Sequence, residues 1–109
     1  MRFSHMNFEE YSEEQKRTSP GPSNITMVAL GLTGESGEFA DLLKKHLFQG
    51  HALDKDKLIE ELGDILWYIF EGARILEVDP SEIARMNVAK LKARYPDGFD
   101  KERSINRNR

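Results

Sequence analysis

The chain has no cysteine, which excludes a disulfide framework, thiolate chemistry and every zinc site built on sulfur. It has no apolar run near the ~18 residues that a membrane span requires, and no secretory leader pattern at Met1. A cytoplasmic protein that avoids membranes is therefore expected. Only four prolines interrupt its 109 residues, and no segment alternates apolar with polar residues long enough to form a strand. These absences leave one all-α unit over 1–109, too short for a second domain. The formal charge of −3 argues against a general nucleic-acid surface. Lys101, Arg103, Arg107 and Arg109 make the end locally basic, and this tail is read as solvated.

Four helices are expected. Asn7 followed by Glu10 has the form of a capping box, and Phe8 and Tyr11 give the helix after it an apolar edge. Ser19-Pro20-Gly21-Pro22 ends that helix, because two prolines and a glycine cannot be absorbed in a helix interior. Ser23 or Asn24 caps a second helix, in which apolar or small residues at 25, 28, 29, 32, 36, 39, 43 and 47 form one stripe at ~100° per residue. Gly50 supplies its stop. Asp54 caps a third helix whose inner face is read as Leu58, Leu62, Ile65, Ile69, Ala73 and Leu76. Ile59, Trp67 and Phe70 lie off that face, so one partner helix cannot cover everything the third helix exposes, and a homo-oligomer is inferred. Asp79-Pro80-Ser81-Glu82 starts a fourth helix, which Tyr95-Pro96-Asp97-Gly98 breaks after Arg94.

The residues that carry chemistry are acidic. Glu35 and Glu38 are three apart, as are Glu61 and Asp64, so each pair occupies neighbouring positions on one helix surface. Acid pairs of this kind more often sit on a solvated face. Here both pairs border apolar surface, and Tyr68 and Glu71 continue the line of the second. If the second and third helices fold back through the short 49–53 loop, the two pairs differ in height by about one helical turn, at ~1.5 Å per residue. Four converging carboxylates repel one another, and a divalent cation is the simplest relief. Hard oxygen donors suit Mg²⁺ or Mn²⁺ better than zinc or copper. The di-iron bundles need Glu-x-x-His on two helices. His5, His46 and His51 do not follow a glutamate at that spacing and are read as surface or loop residues.

On the fourth helix Asn87, Lys90 and Arg94 form a polar ridge opposite Ala84, Val88 and Leu91. Such a ridge can grip phosphate oxygens or simply face water. Lys45, seven residues after Glu38, is a further phosphate candidate, while Lys44 is expected to point elsewhere. Tyr68, one turn beyond Asp64, can offer its hydroxyl to a phosphate, and Trp67 is assigned to the oligomer interface. Glycines at 31, 34 and 37 each cost about 1 kcal/mol relative to alanine in a helix, so their clustering around Glu35 implies close approach of another element or a ligand.

Taken in order, Gly31-Leu32-Thr33-Gly34-Glu35-Ser36-Gly37-Glu38, then Glu61-Leu62-Gly63-Asp64-Ile65-Leu66-Trp67-Tyr68, then Asn87 through Lys90-Leu91 to Arg94-Tyr95-Pro96 and Gly98-Phe99, carry a family likeness. The chain resembles the MazG-like all-α nucleoside triphosphate pyrophosphohydrolases over most of the stretch from Met27 to Phe99. The resemblance implies a four-helix bundle completed by homo-oligomerisation, as a dimer or as a tetramer of two dimers. It also implies an enzyme that cleaves a (deoxy)nucleoside triphosphate between its α and β phosphates, giving a nucleoside monophosphate and pyrophosphate, with Mg²⁺ as cofactor. Carried over residue by residue, Glu35, Glu38, Glu61 and Asp64 become the metal ligands of the catalytic centre. Tyr68, Asn87, Lys90 and Arg94 become substrate contacts.

One departure from the family pattern bears on mechanism. Many relatives carry a glutamate directly before the first ligand, where it can act as general base, and this chain has Gly34. That form is similar to the dCTP-cleaving branch. The base is left open: Glu60 is adjacent but expected to point about 100° away from Glu61, and a metal-bound water can need no dedicated base. A non-catalytic helical oligomerisation or nucleotide-sensing module, and a phosphoribosyl-ATP pyrophosphohydrolase, are the competing readings.

Overall fold

Five helices follow one another in the computed structural model, which describes residues 5–106: α1 (Phe8–Arg17), α2 (Ile25–Phe48), α3 (Lys55–Ile75), α4 (Pro80–Arg94) and α5 (Lys101–Ile105). Among the described residues there is no strand, and no helix long and apolar enough to cross a membrane. The first four helices begin at the expected caps. Asn7 Oδ1 accepts from the Glu10 N–H at 2.8 Å while Glu10 Oε1 accepts from the Asn7 N–H at 3.0 Å, satisfying two orphan donors reciprocally. Asn24, rather than Ser23, caps α2, and Asp54 and Asp79 cap α3 and α4. Gly50 takes φ 75° after α2, and the His51 N–H reaches the Lys45 carbonyl at 3.1 Å, a left-handed stop that glycine adopts without strain. The expected solvated tail is helical in part: Asp100 accepts from the Glu102 and Arg103 N–H groups and nucleates α5. Arg107 and Arg109 lie outside the described residues.

Helices α2 and α3 form the main seam. Val28 lies over Gly72, Gly31 over Tyr68, and Glu35 faces Glu61. Numbers rise on one helix as they fall on the other, so the pair is antiparallel. At ~100° per residue, Leu58, Glu61, Ile65, Tyr68, Gly72 and Ile75 share the side toward α2, and all six are buried or half-buried. Helix α1 covers a second side of α3. Phe8 and Tyr11 stand edge-on to Phe70 with ring centroids 5.4 and 4.8 Å away, and the Trp67 indole N–H donates to Thr18 Oγ1 at 2.8 Å. Helix α4 lies against α1 and α3.

This arrangement corrects the expected inner face of α3. Leu62, Ile69 and Leu76 are 53%, 38% and 60% exposed, so only Leu58, Ile65 and Ala73 of that stripe are covered. The reason is that α3 packs against more than one helix. Wedged between α2 and α1, it leaves a third side outward, carrying Ile59, Leu62, Leu66, Ile69 and Leu76. Trp67 and Phe70, expected to need an oligomer to cover them, are covered by α1 of the same chain. Val88 and Leu91 on α4 are exposed as well. The radius of gyration of 17.1 Å exceeds the roughly 13 Å of a compact chain of this length.

Glu71 does not continue the acidic line but turns toward α1, where it is 2% exposed. Its carboxylate accepts from Gln15 Nε2 at 2.8 Å, Ser19 Oγ at 3.0 Å, Ser23 Oγ at 2.7 Å and the Arg74 guanidinium. Burial alone would push the carboxyl up, but the bonds from Gln15, Ser23, Arg74 and Ser19 together outweigh it and hold it at about 2. One side chain therefore ties α1 and the loop into α2 onto α3. Replacing it by alanine strands Gln15 without a partner, and Glu71→Ala is expected to cost about 3–5 kcal/mol in urea unfolding. Because the folded carboxyl titrates below the ordinary 4.5, its contribution is complete above that pH and lost as pH falls toward about 2. The stability gap between the wild type and Glu71→Gln should accordingly close on acidification.

Candidate metal centre

The α2–α3 seam brings the expected acids together. Glu35, Glu38 and Glu61 each present a carboxylate oxygen within 4.8 Å of those of the other two. Asp64 stands one step along the same seam: with Glu35, Trp67 and Tyr68 it lines a cavity of about 310 Å³. Its position follows from helix geometry. Three residues beyond Glu61 it is rotated about 60° from it, toward the side that α1 covers.

Like charges this close cannot all remain ionised at no cost. A proton shared with Glu61, then burial, then the charges of Glu38 and Asp64 push the Glu35 carboxyl up to about 7. The bond from Glu35 favours the Glu61 charge, yet burial and the nearby Glu38 and Asp64 outweigh it, and Glu61 is raised too. Glu35 Oε2 and Glu61 Oε2 are buried with no hydrogen-bond partner, a state that folded proteins avoid unless something else occupies the site. Two orphaned carboxylate oxygens among three convergent carboxylates fit a hard divalent cation well. No histidine belongs to the cluster among the described residues. His46 Nδ1 instead meets the His51 carbonyl at 2.9 Å, within the turn that ends α2.

The surroundings differ from expectation in several places. A cavity of about 320 Å³ on the other side of the trio is lined by Glu38, Asp41, Leu42, Lys57, Glu60 and Glu61. Glu60 thus borders the acidic site instead of pointing away, because the seam opens there and a position 100° round the helix still edges the cleft. Lys57, one turn before Glu61, was not singled out by its sequence context. Lys45 and Lys44 both converge on Asp41, at 2.9 and 3.1 Å, so Lys44 does not point elsewhere. Positions i+3 and i+4 reach the same carboxylate on flexible stems.

Lys90 and Arg94 line a separate cleft of about 780 Å³ with Asp100, Glu102, Arg103 and Asn106. None of the four acids borders that cleft, and Asn87 is exposed on α4. Tyr11 is a neighbour that sequence reasoning missed: burial first, and the charge of Asp64 next, raise its hydroxyl. Nothing local in α1 signals this, since Asp64 arrives from the middle of α3. Among the three clustered glycines only Gly31 is closely approached, by Tyr68, while Gly34 and Gly37 face open space.

The chain is 36% identical over 78 residues to a protein of Mycobacterium phage L5 called "Gene 37 protein", a likeness that covers 68% of each chain. No solved structure matches it. Residues 23–99 match the family described as the MazG nucleotide pyrophosphohydrolase domain, a span that holds all four acids, Tyr68 and the α4 ridge. The chain therefore belongs to the MazG nucleotide pyrophosphohydrolase family.

Proposed function

We propose that the protein is a Mg²⁺-dependent enzyme that hydrolyses a (deoxy)nucleoside triphosphate between its α and β phosphates. The observation that carries this reading is the Glu35–Glu38–Glu61 trio with its two orphaned buried oxygens, set inside the span that matches the family. Glu35, Glu38, Glu61 and Asp64 are the residues that would hold the metal, and Mn²⁺ offers the same hard chemistry. A bound cation would polarise the α phosphate and ease deprotonation of the attacking water.

The chain's own groups supply the rest. Glu35, raised by its acidic neighbours, would serve as a ligand in its carboxylate form, with its proton passed to solvent. Water oxygen bonds to the α phosphorus as the bridge to the β phosphate breaks, the water's proton passes to bulk solvent, and a nucleoside monophosphate and pyrophosphate leave. Tyr68, on the cavity beside Asp64, contacts the nucleotide. Lys57 lines the acidic cavity itself and joins Lys45 as a cation for the phosphate tail. Substitution tests the ligand set: Glu38→Gln and Asp64→Asn should each lower Mg²⁺-dependent pyrophosphate release from a nucleotide panel by more than about 100-fold, with helical circular dichroism unchanged. Near-normal turnover in either variant would refute the assignment.

The ridge of Asn87, Lys90 and Arg94 is proposed to reach phosphate in an oligomer, a dimer or a tetramer. Two features support this. The outward side of α3 leaves Ile59, Leu62, Leu66, Ile69 and Leu76 exposed among the described residues. Charge is also divided along the sequence: from Arg85 onward eight basic residues face three acidic ones, and before it eight face sixteen. A second copy can therefore bring a basic α4 to an acidic seam. Light scattering should give at least twice the 12.6 kDa chain mass, and Leu62→Asp should reduce it. A wild-type mass near that of one chain contradicts the assembly.

A further inference from the structure

Three glycines on successive turns of α2 weaken that helix, and only one of them has a structural counterpart. A Cβ built on Gly31 would run into the Tyr68 ring, with Cδ1 still only 2.6 Å away. The ring lies on bare α2 backbone, in space that any side chain at position 31 would claim. A retreat of α3 that made room for Tyr68 would open the close packing of Gly72 on Val28. One turn further along, Gly72 is already so close that its own Cβ would stand 3.2 Å from Val28 Cγ1. A methyl at position 31 therefore drives the ring sideways into another rotamer.

Sideways is toward the site. Tyr68 and Trp67 stand edge to face with centroids 5.0 Å apart and form the aromatic wall of the 310 Å³ cavity that Glu35 and Asp64 complete. Thr18 fixes the far edge of that wall through the Trp67 indole. Gly31 fixes the near edge by being absent as a side chain. We infer that Gly31 is a positioning residue for nucleotide binding, whose bare backbone seats Tyr68 and keeps the aromatic cavity beside Glu35 and Asp64 open to the nucleotide. The inference rests on the nucleotide-hydrolysis reading and adds to it a residue that touches neither metal nor substrate.

Trp67 is the sole tryptophan, so its fluorescence reports on the wall directly. The test compares the wild type, Gly31→Ala, Tyr68→Ala and the double variant. Three quantities are read: Trp67 emission, affinity for the α,β-imido analogues of the four common deoxynucleoside triphosphates with Mg²⁺, and affinity for Mn²⁺ alone. Gly31→Ala is expected to shift the emission and to weaken analogue binding about tenfold or more, with Mn²⁺ affinity held within about twofold. In the Tyr68→Ala background the same substitution should change neither emission nor analogue binding, because the ring it displaces is gone.

Wild-type behaviour of Gly31→Ala, or losses that multiply in the double variant, would overturn the inference. So would a loss of Mn²⁺ affinity as large as the loss of nucleotide affinity, since that reports a distorted seam rather than a displaced ring. If the wild type binds the analogues yet releases no pyrophosphate from the natural nucleotides, the catalytic reading fails while the seating of Tyr68 is still decided by these binding data. If the wild type binds none of the analogues, both readings fall.

Discussion

Everything in this structure that bears on function depends on carboxylates being forced together across one helix seam. Glu35 and Glu38 approach Glu61 from the opposite helix closely enough that the Glu35 carboxyl is pushed up and two buried oxygens are left without partners. Such a cluster opposes folding when empty, because its charges repel and burial disfavours ionisation. A divalent cation held by Glu35, Glu38 and Glu61 would relieve the repulsion. Carboxylate oxygens of this kind are the donors that hard divalent ions take.

The seam is held in register by features away from the acids. Gly72 and Gly31 let α3 approach α2 closely, one against Val28 and the other beneath the Tyr68 ring. On the side of α3 turned toward α1, Glu71 gathers Gln15, Ser19, Ser23 and Arg74, so that α1 and the loop into α2 are tied onto α3. That clamp places Tyr11 near Asp64 and Thr18 on Trp67. Stability and site geometry are thus coupled through α3, which carries both the buried clamp and two of the four acids.

Features encoded within a few residues were legible in the sequence. The caps at Asn7, Asp54 and Asp79, the stop at Gly50 and the gathering of Glu35, Glu38 and Glu61 all follow from spacing and a short turn. Features that depend on which neighbour claims a helix face were not. α3 is apolar on more than one side, so periodicity could not say that Leu62, Ile69 and Leu76 face outward while Trp67 and Phe70 pack under α1. The role of Glu71 was hidden because its partners Gln15, Ser19 and Ser23 lie about fifty residues earlier in the chain. The short α5 lacked any periodic signal, and the placement of Lys90 and Arg94 beside it, away from the acids, could not be read from α4 alone.

Thermal unfolding across pH, with and without Mg²⁺, addresses the claimed stress most directly. An acid raised from 4.5 to about 7 in the folded state contributes stability below the lower value and loses it as pH climbs through the higher one. The midpoint of metal-free protein should therefore fall between about pH 5 and 8, Mg²⁺ should restore it at the alkaline end, and Glu35→Gln should flatten the metal-free slope. A metal-free midpoint that does not fall over this range, and that Mg²⁺ leaves unmoved, would contradict the account.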